Sequence, residues 1–157
     1  MSALKASPNG ASNLPSTLRD PANFPQCLTT NNVHIELRYD PLDTASIFQF
    51  VRSPTCSANV LFLGTTRNSF DNRPVARLSY SAYLALVLRS FKSIAEAVIR
   101  GHGLEKVCIV HRLGHVPVAE ESIAVAVSAG HRGPVWKGAE QALERCKERV
   151  EVWKMES

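Results

Sequence analysis

The sequence lacks any long hydrophobic run. None of its apolar stretches approaches the roughly 20 residues of a membrane-spanning helix, so we expect neither a membrane span nor a membrane partner. Cysteine is also scarce. The four cysteines, Cys27, Cys56, Cys108 and Cys146, are far apart and form no CxxC pair. With no secretory signal, this pattern argues against a disulfide framework or a metal site and predicts reduced thiols in a cytosolic protein.

Neither sign of charge is in large excess. The 18 Lys and Arg residues against 14 Asp and Glu give a net charge of +4, which suits an anionic small molecule or an acidic partner protein. The basic residues are scattered, with no stripe of alternating basic and aromatic residues and no zinc-finger spacing. We therefore expect no nucleic-acid partner, and a generic phosphate or nucleic-acid binder is the weakest hypothesis.

Composition divides the chain into two parts. Residues 1–30 are rich in Ser, Asn, Pro and Ala with few large apolar side chains, which predicts a disordered N-terminal tail. Residues 31–157 are long enough for one globular domain with a buried core.

Hydrophobic periodicity predicts strands and helices in alternation within that domain. Hairpin-like and crossover connections are mixed, so we expect an α+β fold with a mostly antiparallel sheet. A loop containing Gly114 and Pro117 is expected between the fourth and fifth strands. The predicted strands are Val33–Arg38, Ala58–Leu63, Val75–Ala82, Lys106–Leu113, Ser122–Val127 and Val150–Lys154. Three helices are predicted: a short one capped by Asp43, a long one at Tyr83–Arg100 that is ended by Gly101 and Gly103, and a third that starts at Gly133-Pro134.

The pattern changes from that of a strand to that of a helix at His131-Arg132-Gly133-Pro134. Pro134 suits the first turn of a helix and Gly133 is a tolerable N-cap. Free backbone N–H groups and the helix dipole favour an anion there, and Arg132 adds a guanidinium suited to phosphate. The alternative is that Arg132 pairs with a surface carboxylate and His131 caps the strand. These four residues do not decide between the two.

Three further cations are candidates from their positions. Arg67 follows a strand in the segment GTTRN and would lie near a strand-loop-strand apex, where side chains commonly orient ligands, although a plain turn is the alternative. Lys147 and Lys154 lie near the C-terminal end of the sequence, seven residues apart. A lysine beside another cation can act as a nucleophile, an acid or an oxyanion partner, but most such lysines only extend into solvent. His111, near a strand end, favours a structural role.

Three blocks of sequence carry a family resemblance: GTTRNSFDNRPVARLSYSAY, VCIVHRLGHVPVAEESIAVAVSAGHRG and KERVEVWKME. Read together and in this order, they closely resemble the large subunit of molybdopterin synthase. The resemblance runs from Val33 to the C-terminus. It implies a hammerhead-like α+β domain.

The resemblance also implies an activity. Members of the family transfer sulfur from the thiocarboxylated C-terminus of a small ubiquitin-like subunit to cyclic pyranopterin monophosphate, or precursor Z, forming the dithiolene of molybdopterin. The large subunit forms a homodimer within a heterotetramer. No metal or other cofactor is implied, because the sulfur arrives already activated. The alternative is a non-catalytic scaffold that holds a ubiquitin-like protein in the same groove.

Matching positions assign the site residues that the resemblance implies. Lys147 and Lys154 are the expected catalytic lysines, and Arg67 is an anion-binding arginine that could come from the other subunit. The expected substrate-binding residues are Arg67, His131, Arg132, Lys147, Lys154 and Glu156.

The chain departs from the family pattern at several positions. Glu151 stands where the family usually has proline, and Met155 stands where a second lysine is common. Ser79 and Ser81 replace acidic residues, Pro134 is unusual, and the chain stops short of the acidic tail of many members. We expect these changes to loosen the small-subunit contact or the pocket wall and to leave the core of the site intact.

Overall fold

The computed structural model describes residues 24–70, 73–74, 77–82, 84–148 and 152–156. Ten strands and three helices lie in these ranges. In chain order they are β1 (Gln26–Thr29), β2 (Val33–Arg38), α1 (Thr44–Val51), β3 (Ala58–Thr65), β4 (Ser69–Phe70), β5 (Arg73–Pro74), β6 (Arg77–Ala82), α2 (Leu84–His102), β7 (Lys106–Arg112), β8 (Gly114–Pro117), β9 (Glu121–Ala129), α3 (Arg132–Glu148) and β10 (Val152–Glu156).

The main sheet has five strands in the order β1-β2-β7-β9-β3. Strands β2 and β7 are parallel, and the other three neighbouring pairs are antiparallel. The α+β class with a mostly antiparallel sheet, expected from the mixed connections, is therefore confirmed.

The core lies on both faces of the two central strands. Val107 and Ile109 of β7 join the apolar cluster formed with α2 and α3. Cys108 and Val110 alternate with them and join a second cluster under α1. A strand that is buried on both faces has a continuous apolar run in its sequence, as at Val107–Val110 of β7 and Ile123–Val127 of β9.

A smaller antiparallel sheet has the order β10-β6-β8. The expectation of a plain loop around Gly114 and Pro117 is wrong, because these residues bound strand β8, which pairs with β6. Gly114 has a φ of 75° and turns the chain out of β7. Glycine and proline signal a turn in sequence, but here they mark the ends of a short strand whose Val116 is fully buried.

The expected disordered tail ends earlier than residue 30. Strand β1 pairs with β2 in the register Gln26 to Leu37 and Thr29 to His34, so its backbone groups are bonded like those of any edge strand. Residues 1–23 of the expected tail lie outside the described residues. The error arises because β1 is only four residues long and its two apolar residues, Cys27 and Leu28, are adjacent, so the sequence shows no alternating pattern.

Helix boundaries differ from expectation by one or two residues. Helix α3 begins at Arg132, so Gly133 lies in its first turn and is not the N-cap. Helix α2 continues through Gly101 to His102, and Gly103, with a φ of 66°, follows its end. Asp43 caps α1 as expected, since its Oδ1 accepts a hydrogen bond from the Ser46 amide at 3.2 Å.

The remaining strand predictions hold where they can be tested. Strand β6 begins at Arg77, and the two residues before it that were also expected to be extended lie outside the described ranges. Strand β10 runs from Val152 to Glu156, while residues 150–151 of the expected strand are not described. None of the three helices in the described part of the chain is long and apolar enough to cross a bilayer.

Gly114 and Gly103 provide a matched test of how the small sheet is joined to the large one. Both have positive φ, so alanine at either position costs roughly 1–2 kcal/mol of backbone strain. A Cβ at Gly103 meets nothing within 4 Å, whereas one at Gly114 lies 2.9 Å from Cδ1 of Tyr39. That ring packs edge-on against Phe24, with centroids 4.8 Å apart.

We expect Gly114→Ala to lower the free energy of unfolding by about 1–3 kcal/mol more than Gly103→Ala, because overpacking adds to the strain. Urea denaturation of the two variants measures the difference. Equal losses would show that the Tyr39 contact does not restrain this junction.

Candidate active site

His131 and Arg132 lie where β9 turns into α3. Strand β9 ends at Ala129, and Arg132 is the first residue of the helix. The turn between them is held by the Ser57 hydroxyl, which donates to the Gly130 carbonyl at 2.9 Å. Both side chains are exposed. The free N–H groups of the first helical turn and the Arg132 guanidinium therefore face solvent together, an arrangement suited to an anion.

Arg67 is exposed just beyond the far end of β3. The preceding residue, Thr66, is tied to the loop between β8 and β9: its N–H donates to the Glu120 carbonyl at 3.1 Å, and its carbonyl accepts from the Ala119 N–H at 2.8 Å. The Glu120 carboxylate in turn accepts a hydrogen bond from Arg112 at 2.7 Å. The backbone that carries Arg67 is thus anchored, while its side chain is free to meet a ligand.

Arg67 and the His131-Arg132 pair lie at opposite ends of the β3–β9 pair. The antiparallel register pairs Ala58 with Ala129 and Gly64 with Ile123. Strand β3, from Ala58 to Thr65, spans roughly 23 Å between these ends. One chain therefore cannot bring Arg67 and Arg132 to the same small anion.

Helix α3 separates Arg132 from Lys147 in the same way. The helix is continuous over 17 residues, and at 1.5 Å per residue the two positions are about 22 Å apart along its axis. Lys147 is exposed in the last turn. Such a distance exceeds the combined reach of an arginine and a lysine side chain, so these two residues also cannot hold one small ligand from a single chain.

Lys154 and Glu156 lie at the same end of the molecule as Arg67. In β10, Lys154 pairs with Tyr80 of β6, which pairs in turn with Gly114 of β8. Gly114 directly follows the end of β7, and this end of β7 is paired with the start of β9. The end of β3 is paired with the start of β9 as well, so β10 lies at the end of the sheet where Arg67 follows β3. Since β10 begins five residues after Lys147, that lysine is tethered to the same end.

The predicted site residues thus form two groups within one chain. We call Arg67, Lys147, Lys154 and Glu156 the lysine end, and His131 with Arg132 the histidine end. The structure does not bring the two ends together in one chain. The spacing of these residues in the sequence gave no sign of this separation. A number of residues can be converted into a distance only when the strand or helix between them is known to be continuous.

Trp136 lies beside the histidine end, although the sequence resemblance implies no role for it. It follows Arg132 by four residues, which places both on one face of α3. Its side chain is 64% exposed, and with Leu86 it is one of the exposed large hydrophobic residues of the described chain. An exposed aromatic residue four positions after Arg132, a candidate anion-binding residue, was the available signal in the sequence.

His111 and Arg112 are structural, as expected for His111. The His111 ring is buried and its Nδ1 donates to the Arg112 carbonyl at 2.8 Å. Burial lowers the pKa of His111 to about 4, although that hydrogen bond opposes the shift. Cys146 is also buried, and burial raises its pKa to about 12. A neutral histidine and a protonated thiol in the core exclude both from acid–base or nucleophilic chemistry at neutral pH.

Comparison with known proteins agrees with this arrangement of elements. A family model described as MoaE protein matches residues 37–149. The chain belongs to the MoaE family. It is 53% identical over 139 residues to the molybdopterin synthase catalytic subunit of Ajellomyces capsulatus, covering 87% of this chain and 68% of that one. It is also 53% identical over 154 residues to the protein of the same name from Emericella nidulans, covering 94% and 78%.

A solved structure supports the same family. The crystal structure of molybdopterin synthase from Staphylococcus aureus superimposes with a TM-score of 0.75 at 27% identity, covering 83% of this chain and 93% of that chain. The MoaE match includes Arg67, His131, Arg132 and Lys147 but ends before Lys154 and Glu156. The family resemblance seen in the sequence is confirmed.

The buried His111 predicts a pH dependence of stability. Because its folded pKa is about 4 and its ordinary value 6.5, the unfolded chain binds the proton more readily. The contribution of neutral His111 to the free energy of unfolding is fully present above pH 6.5. It is lost as the pH falls towards 4, and the loss amounts to at most about 3 kcal/mol. We expect His111→Gln to flatten the fall in unfolding free energy between pH 6.5 and 4, measured by urea denaturation.

The matched control is His115→Gln, which removes an exposed histidine from the adjoining strand. If His111→Gln retained the full slope of the parent chain, the buried imidazole would not be its source.

Proposed function

We propose that this chain is the catalytic subunit of a molybdopterin synthase. It receives sulfur from the thiocarboxylated C-terminus of a small ubiquitin-like subunit and transfers it to cyclic pyranopterin monophosphate, forming the molybdopterin dithiolene. The observation that carries the proposal is the match to the MoaE family over residues 37–149, which includes four of the six expected site residues. The free thiols of the described cysteines fit a reducing compartment, so we place the reaction in the cytosol.

The active site is formed by residues from two copies of the chain. One copy supplies the lysine end and the other supplies the histidine end, because about 22 Å of helix keeps Arg132 and Lys147 of one chain apart. A two-fold dimer brings each end of one copy to the opposite end of its partner and so creates two equivalent sites. The exposed Trp136, beside the histidine end, supplies apolar surface for such a contact.

Each end has a distinct chemical role. The first turn of α3 with His131 and Arg132 holds the cyclic phosphate of the substrate. Lys147 and Lys154 hold the thiocarboxylate, stabilise the oxyanion that forms when water attacks its carbonyl, and transfer protons as sulfur adds to the pterin. Arg67 lies with the lysines and adds positive charge around the anionic groups. Glu156 belongs to the same end as a substrate contact.

The alternative is a scaffold that binds the small subunit without transferring sulfur. Its support is the loss of the second lysine at Met155 and the acidic Glu151 in place of proline. The two hypotheses differ in whether the purified chain makes product.

The decisive experiment co-expresses two inactive variants. We expect Lys147→Ala and Arg132→Ala each to abolish product when assayed alone with the thiocarboxylated small subunit and cyclic pyranopterin monophosphate. When the two chains pair at random, half of the dimers are mixed, and each mixed dimer has one site with neither mutation. We therefore expect about one quarter of wild-type activity to return.

Two controls make the result specific. Lys147→Ala paired with Arg67→Ala should recover nothing, because both residues belong to the lysine end and every mixed site retains one mutation. Lys92→Ala, which removes a lysine paired with Glu96 on α2 at 3.6 Å, should stay active alone. No recovery when Lys147→Ala is paired with Arg132→Ala would refute the composite site. A wild-type chain that binds the small subunit but makes no product would favour the scaffold.

A further inference from the structure

Three potential metal ligands meet on the edge of the main sheet, on the face that carries α1. One ligand atom each from Cys27, His34 and Glu36 lies within 4.8 Å of the other two. Strand pairing produces the cluster: Cys27 of β1 is directly opposite Glu36 of β2, and Thr29 is opposite His34. The three residues therefore share one face of a two-stranded ribbon, which their sequence spacing does not suggest.

The cluster lies outside the part of the chain that defines the family. The MoaE match begins at residue 37, after all three ligands. Sulfur transfer as proposed above uses none of them, so the inference stands independently of the proposed function. The sequence around Cys27 contains no second cysteine and so argues against a metal motif, but only the pairing of β1 with β2 determines which residues Cys27 faces.

The donor set suits zinc. Zinc binds thiolate sulfur at about 2.3 Å and imidazole nitrogen or carboxylate oxygen at about 2.0 Å. Ligand atoms around such an ion lie roughly 3–4 Å from one another. His34 Nε2 and Glu36 Oε1 are 3.0 Å apart, so only a small separation of the two side chains admits the ion.

The surrounding contacts hold two of the ligands in place. The Thr29 hydroxyl lies 2.7 Å from His34 Nδ1, which leaves Nε2 directed at the cluster. Arg38 Nη1 donates to Glu36 Oε2 at 2.8 Å, which leaves Oε1 for the ion. Partners of this kind commonly orient the ligands of metal sites.

Space and charge are also suitable. A cavity of about 290 Å³ opens beside His34 and Glu36 and is bounded on the α1 side by Asp43 and Phe50. It leaves room for a water molecule as a fourth ligand. A thiolate, a carboxylate and a neutral imidazole together balance the two positive charges of zinc, and Arg38 remains paired with the outer oxygen of Glu36.

We propose that Cys27, His34 and Glu36 bind a zinc ion that links β1 to β2, with the fourth coordination position open to water. Binding forms Zn–S, Zn–N and Zn–O bonds with no change of oxidation state. The Cys27 thiol gives up its proton to solvent, and the ion replaces the hydrogen bond between His34 and Glu36. The ion thereby joins the N-terminal edge strand to the sheet.

Beneath the cluster, Cys108 of β7 lies beside His34 in the parallel register but is fully buried.

The test titrates the full chain, first stripped of metal, with Zn²⁺ by calorimetry and with Co²⁺ by absorption spectroscopy. We expect one ion per chain and a thiolate-to-cobalt charge-transfer band. Cys27→Ser should abolish that band, and both Cys27→Ser and His34→Ala should weaken Zn²⁺ binding at least about tenfold. The matched control Cys56→Ser removes another cysteine that is not fully buried and should change neither.

Thermal unfolding provides a readout that does not depend on activity. Zn²⁺ should raise the Tm of the parent chain and of Cys56→Ser but not that of Cys27→Ser, because only a bound ion stabilises the folded state. Circular dichroism of the metal-free variants checks that each is folded. Absence of Zn²⁺ binding by the parent chain, or equal binding by Cys27→Ser, would overturn the proposal.

Discussion

The burial of β7 and β9 on both faces is the constraint on which the rest of the structure depends. Alternate residues of β7 pack under α1 and against α2 and α3, so neither helical layer can move without exposing a strand to water. This burial fixes the direction in which α3 returns across the sheet after β9. The positions of both ends of the candidate site follow from that direction.

Rigid secondary structure then limits how the proposed site can be assembled. A strand pair and an unbroken helix each place more than 20 Å between the histidine end and the lysine end. These distances cannot be shortened by side-chain motion, since closing them would require breaking α3 or sliding β3 along β9. Assembly from two copies satisfies the geometry at no such cost, and it makes dimerisation a condition of the proposed activity.

Short polar contacts outside the core complete the framework at the lysine end. Arg112 is mostly buried and reaches both the Glu120 carboxylate and the Tyr39 carbonyl. Glu120 then holds the backbone of Thr66 through its carbonyl. This series of bonds ties the end of β7, the turn before β9 and the residue before Arg67 together, so an exposed arginine projects from an anchored backbone.

The sequence by itself determined the family, the α+β class and most of the element positions. Periodicity located α2, α3 and the central strands because each is long and half or fully buried, so the pattern repeats often enough to be recognised. It failed at β1 and β8, which are four residues long and depend on partners distant in sequence. The candidate residues Arg67, His131, Arg132, Lys147, Lys154 and Glu156 were likewise named from sequence.

Only the tertiary structure decided how those residues are grouped. Spacing along the chain says nothing about which strand ends lie together, and the antiparallel register alone separates Arg67 from His131. The same holds for Cys27, His34 and Glu36, which become neighbours because β1 pairs with β2. Local pattern specifies the elements through their burial, whereas the relations between elements arise from pairing and packing that the linear order does not contain.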